Sequence, residues 1–140
     1  MANICITDFR LIGTKESAEK MRDFINSLQG KTNLLRNYGM YNAFKELGCE
    51  NVDNDVVKRA TAYDLNINPY QDKFMLSFMT ESAWEEPSDM ISFINDKLGL
   101  NMSINYHAEE PMMQYINEVG DDNVFSDGYR IFDENEFADD

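Results

Sequence analysis

Histidine and tryptophan occur once each in this chain, cysteine twice and proline three times. Cys5 and Cys49 are too few for a Cys₄ zinc site or an iron-sulfur cluster, and they supply no disulfide framework, so a reducing cytoplasm is the expected setting. With a single histidine, neither a His-based metal site nor a His-Cys pair with orienting partners is well supported. No apolar run approaches the roughly 18 residues of a membrane span. The start MANICITDF lacks the basic and apolar regions of a secretion signal. The seven glycines are dispersed at predicted strand and helix ends, which excludes a Gly-rich phosphate loop.

Positive charge is scarce in one part of the chain. Residues 81–140 hold two basic residues, Lys97 and Arg130, against sixteen Asp/Glu, whereas residues 1–80 carry ten of each. The formal charge of -14 is therefore local. Such a field repels nucleic acid, anionic lipid and acidic substrates, and it attracts cations and basic protein surfaces. At 140 residues, the chain is long enough to bury a core of its own as one domain.

Asn3 to Ile12 reads as a strand closed by Gly13, with Cys5, Phe9 and Leu11 on one set and Ile4, Ile6 and Ile12 on the other; Asp8 and Arg10 are the charged exceptions. Thr14 offers an N-cap to a helix over 15–29, carried by Ala18, Met21, Phe24, Ile25 and Leu28. Residues 31–59 are the least regular part. From Thr61 the period becomes two, with Tyr63, Leu65 and Ile67 on one side, and a turn at 68–72 leads into a return strand over 73–80. Pro87 suits the start of a helix over 88–98 that Gly99 stops, and 100–107 forms a one-sided strand. Residues 124–126 and 129–132 flank Asp127-Gly128, a hairpin signal. The last eight residues, 133–140, read as a disordered acidic tail.

The order strand, helix, strand, strand, helix, strand is the ferredoxin-like split βαβ plan of an α+β protein. Its first and third strands are central and here apolar on both faces; its second and fourth are edges, here apolar on one. The expected architecture is a ferredoxin-like domain over 1–132 with an insert at 31–59 and a C-terminal extension at 109–132. The helices of this plan cover one face of the sheet. The apolar residues of the second face then need a cover, for which the C-terminal segment with Val124, Phe125, Ile131 and Phe132 is the favoured candidate.

Ala2-Asn3 and Cys5 in a first strand closed by Gly13, Thr80 with Ala83-Trp84 and Pro87 between strand and helix, and a last strand reaching Tyr106 with Glu109 after it resemble the YubB ferredoxin-like family. These are small proteins of plasmids, phages and conjugative elements. The resemblance spans residues 2 to about 120. It implies the fold and a bacterial mobile-element setting, and it transfers no catalytic residue. One departure is clear: the family's Trp-rich segment before the second strand has no counterpart, since Gly48 to Arg59 contains no Trp.

The richest polar cluster is Glu81, Trp84, Glu85, Glu86 and Asp89, which reads either as a divalent-cation or basic-peptide site or as a solvated helix N-terminus. His107, with Glu109 and Glu110 close in sequence, reads as a general base or pH switch, or as a plain exposed edge-strand histidine. Asp121, Asp122, Asn123 and Asp127 suggest a calcium loop, but Phe125 and Phe132 occupy its fifth and twelfth positions. No cofactor, metal site or catalytic set is expected. The expected function is that of a non-enzymatic accessory protein contacting a basic protein partner as monomer or homodimer, with no direct nucleic-acid or membrane binding. The alternatives are a DNA mimic that occupies a host protein's groove, and a small enzyme or metal-binding protein using the 81–89 carboxylates.

Overall fold

Strand β1 (Ile4–Gly13) lies in the middle of an antiparallel sheet, hydrogen-bonded on one side to β3 (Lys73–Ala83) and on the other to β4 (Ser103–Glu110). The computed structural model describes residues 4–29, 60–83 and 85–133. Helix α1 (Lys15–Gln29) follows β1, β2 (Ala60–Tyr70) pairs with β3, α2 (Ser88–Lys97) joins β3 to β4, and β5 (Tyr115–Val119) pairs with β4. The fold is α+β, with five strands in the order β2-β3-β1-β4-β5 and two helices among the described residues. The expected insert 31–59, Ala2-Asn3, Trp84 and residues 134–140 of the expected tail lie outside the described residues.

Local chemistry accounts for the helix ends. The Ser17 N–H donates to Thr14 Oγ1 at 3.1 Å, so Thr14 caps α1 as its position suggested. Pro87 precedes α2, its carbonyl accepting the N–H groups of Met90 and Ile91, and Gly99 leaves the helix at φ 63°, a left-handed geometry that suits glycine. Asn95 of α2 is buried and exchanges two hydrogen bonds with the Met102 backbone (3.0 and 3.2 Å), fixing the helix to the chain that enters β4.

Both helices pack on one face of the sheet. Ala18, Met21, Ile25 and Leu28 from α1 and Met90, Ile91 and Ile94 from α2 form one core with Cys5, Phe9, Leu11, Leu76, Phe78 and Tyr106. The Phe9 ring stacks on Phe78 with centroids 5.2 Å apart and meets Tyr106 at 5.5 Å.

Four expectations need correction. First, β4 is not an edge: β5 lies outside it, so the edges are β2 and β5. Second, Tyr63 does not share a face with Leu65 and Ile67. The register slips between Tyr63 and Asn66, where Asp64 sits at φ 58°, and this extra residue sends Leu65 and Ile67 to the core with Ala60 and Ala62 while Tyr63 turns to the other face. Third, β4 is buried on both sides, its polar set included: Asn105, His107 and Glu109 are as enclosed as Tyr106 and Ala108. Fourth, residues 124–132 hold turns and bends and no strand. Their backbone bonds go elsewhere: the Ile131 and Phe132 N–H groups donate to the Glu109 carboxylate, and the Val124 carbonyl accepts from Arg10.

Candidate functional site

The second face of the sheet is a grid fixed by strand register. One row across the strands reads Thr61, Glu81, Ile6, Glu109 and Ile116; the next reads Tyr63, Met79, Asp8, His107 and Glu118; the third reads Asn66, Ser77, Arg10 and Asn105. Because side chains alternate between faces, these polar residues gather on the face opposite the helices. The C-terminal segment covers the β1 and β4 half of this grid, as the need for a cover predicted. Gly120, at φ 131°, is where the chain turns onto it. A Cβ there would fall 2.1 Å from Asn105 Oδ1, which accepts the Asp121 N–H at 2.9 Å. Over β3 a groove of about 310 Å³ remains, bordered by Asp8, Arg10, Asn66, Met75 and Met79.

Beneath the segment two linked polar groups are closed. Asp8 accepts Arg10 Nε at 3.2 Å, Arg10 Nη2 at 3.0 Å and the Tyr129 hydroxyl at 2.6 Å. Arg10 donates from Nη1 to the Val124 carbonyl at 2.7 Å, and its guanidinium lies over the Phe125 ring, 4.3 Å from the centroid. Burial, and then the bond to Asp8, push the Tyr129 hydroxyl well above its ordinary range.

His107 is clamped between two carboxylates, Nδ1 to Glu118 Oε1 at 2.6 Å and Nε2 to Glu109 Oε2 at 2.5 Å, with the Tyr129 ring edge-on against it. Glu109 also accepts the N–H groups of Ile131 (2.7 Å) and Phe132 (3.1 Å). Burial raises the Glu109 carboxyl, but the Ile131 N–H, His107 and the Phe132 N–H outweigh it, and the group is held below its ordinary range.

A separate carboxylate pair lies on the helix face. Glu86 accepts the Tyr115 hydroxyl (2.7 and 3.0 Å) and Asn117 Nδ2 (3.0 Å), while Glu110 accepts the N–H groups of Met112 and Met113 (2.9 and 2.8 Å) and so shapes the β4–β5 turn. Burial, with these two carboxylates adding to it, pushes the Cys5 thiol up to about 11, which leaves it protonated and inert at neutral pH.

The structure therefore divides the residues singled out in the sequence. His107 and Glu109 come together, buried, so His107 is neither exposed nor on an edge strand. Glu86 and Glu110 are buried on the opposite face, whereas Glu81, Glu85 and Asp89 are exposed; Trp84 is outside the described residues. No cluster of three or more metal-ligating side chains occurs among the described residues. Asp121, Asp122 and Asn123 line an open cleft of about 610 Å³ with Asp72 and Lys73. Asp8, Arg10, Asn105, Glu118 and Tyr129 were missed. The available signal was the one opposite-charge pair, Asp8 and Arg10, two apart on one face of an otherwise apolar strand.

Chemically, the second-face network is a fastener: Asp8, Glu109 and the imidazole of His107 spend their hydrogen bonds on strand and C-terminal segment, while Glu118 binds His107 and stays about half exposed. No family model, curated protein or solved structure matches the chain. No helix among the described residues is long and apolar enough to cross a membrane.

Proposed function

We infer that this chain is a non-enzymatic accessory protein that works through protein contacts of its acidic surface, in the cytoplasm of a bacterium. In this reading the sheet is a ferredoxin-like split βαβ core, β2-β3-β1-β4, extended by β5. The protein is related to the YubB group of mobile-element proteins, on the residues quoted for that resemblance. One observation carries the binding role: the buried carboxylates Asp8, Glu86, Glu109 and Glu110 are engaged inside the fold, while Glu81, Asp89, Asp121, Asp122 and Asp127 face outward. Groups held in closed networks fasten the fold; exposed ones of a single sign set the surface potential.

The partner in this reading is a protein with a basic surface. Nucleic acid and anionic membrane are disfavoured by charge, and monomer and homodimer are both compatible with it. Capture from bacterial lysate at low salt should recover basic proteins that high salt releases, and a gel-shift titration should detect no complex with DNA. Salt-insensitive capture or tight DNA binding at physiological salt refutes this reading.

A further inference from the structure

Five large hydrophobic side chains are exposed among the described residues: Ile4, Met112, Met113, Ile116 and Val119. Four of them, Met112, Met113, Ile116 and Val119, lie on β5 or in the turn that leads into it, with Ile116 on the second face of that strand and Val119 on its helix face. Ile116 and Val119 belong to β5 and are 47% and 44% exposed, and Met112, in the turn that leads into β5, is 78% exposed. Ile4 stands apart from them, on β1 two strands inward, though on the same face as Ile116. Single exposed apolar residues are ordinary, whereas a set collected along one edge marks a contact surface. β5 is also the last strand of the sheet, and its outer edge has no strand neighbour among the described residues. Such an edge is a template for another strand.

Charge decides what can occupy it. Glu118 lies on β5 and half of it reaches solvent, Asp121 and Asp122 follow it exposed, and no Lys or Arg occurs between Lys97 and Arg130. A second copy added through its own β5 would set two strands that each carry Glu118 and lead into Asp121 and Asp122 side by side, in molecules of charge -14 each; the added strand would bring acidic residues and no cation of its own to Glu118. A strand with Lys or Arg on one face and apolar residues on the other has no such conflict. Its ammonium groups reach Glu118 while their methylene stems lie over Ile116, and its apolar face meets Val119.

We propose that β5 is a docking edge for an extended basic segment of another protein, which joins the sheet as a sixth strand and is held by Ile116, Glu118 and Val119. This rests on the acidic-surface reading above and names where its partner binds.

The test titrates the isotope-labelled full chain with a peptide of roughly ten residues alternating Lys and Val. Two controls are its counterpart N-methylated along one edge and a Glu/Val peptide. The Lys/Val peptide should shift the resonances of Tyr115–Val119 and slow their amide exchange. N-methylation should weaken it by about tenfold or more, since strand addition depends on main-chain hydrogen bonds. The Glu/Val peptide should not bind. Ile116→Arg, a change at an exposed position, should weaken the Lys/Val peptide by about tenfold, as like charges then face each other. Equal binding of the N-methylated peptide, or shifts confined to Glu85 and Asp89, overturns the edge proposal and leaves the acidic-surface reading standing. Absence of binding by either basic peptide overturns both. Protection of β5 that grows with the concentration of the chain alone assigns the edge to a second copy and overturns the proposal.

Discussion

Glu109 is a carboxylate with no exposed surface, and its ionised form survives burial because donors surround it: the Ile131 and Phe132 N–H groups and His107. Removing it takes the buried acceptor from His107 Nε2, which leaves the ring only Glu118 on its other nitrogen, and from two backbone N–H groups, so Glu109→Ala should cost about 3 kcal/mol or more, and Glu109→Gln less. The folded carboxyl titrates below its ordinary 4.5, so its stabilising contribution is complete above that value and is lost as pH falls through the lower folded one. Urea unfolding at a series of acid pH values should show this loss in the parent and a smaller one in Glu109→Gln; identical pH profiles would remove Glu109 from the account. The nearness of His107 and Glu109 was legible, because residues two apart on a strand share a face. Their burial was not. Phe125 and Tyr129 lie against His107, and Ile131 and Phe132 bond Glu109, about twenty residues further on, and nothing local in His107-Ala108-Glu109 announces a cover supplied from so far away.

Among the elements, β1, β3 and the two helices were the readable ones, because strict periods of two and of 3.6 ran through them without interruption. β2 was read with the wrong phase. A period of two is blind to one inserted residue, and Tyr63, Leu65 and Ile67 look like a single face until Asp64 is found at φ 58°. The bulge is testable through that backbone angle. A β-branched residue is disfavoured in the left-handed region while glycine is not, so Asp64→Val should cost about 1–2 kcal/mol and Asp64→Gly should stay within about 1 kcal/mol of the parent in thermal unfolding. Equal stability of the two variants would mean that the bulge sits elsewhere or closes up. The misplaced C-terminal hairpin has a related cause. Asp127-Gly128 does make a turn, with the Tyr129 N–H donating to the Ser126 carbonyl at 3.0 Å. A turn signal says nothing about its flanks, whose donors here go to a carboxylate on β4 in place of each other.

For the whole molecule, the segment from Asp121 onward carries two opposed effects. It holds eight acidic residues, Asp121, Asp122, Asp127, Asp133, Glu134, Glu136, Asp139 and Asp140, against the single cation Arg130, so it supplies half of the net -14. Deleting it relieves self-repulsion that opposes folding. The same deletion strips the cover from the second face, leaving Asp8 without Tyr129, Arg10 without the Val124 carbonyl and the Phe125 ring, and Glu109 without both backbone donors. Charges spread over a solvated surface are screened within about 8–10 Å at ordinary salt. Buried groups that lose hydrogen-bond partners cost about 1–3 kcal/mol each, and more when charged. The loss of cover therefore outweighs the relief, and a chain ending at Gly120 should be less stable than the parent despite its lower charge, should bind a hydrophobic dye, and should aggregate more readily. High salt separates the two effects, since it weakens repulsion in the parent and leaves the stripped face stripped, so the stability gap should widen as salt is added. A truncated chain that matches the parent in stability at low and high salt, and binds no more dye, would show that the C-terminal segment is not what closes the second face.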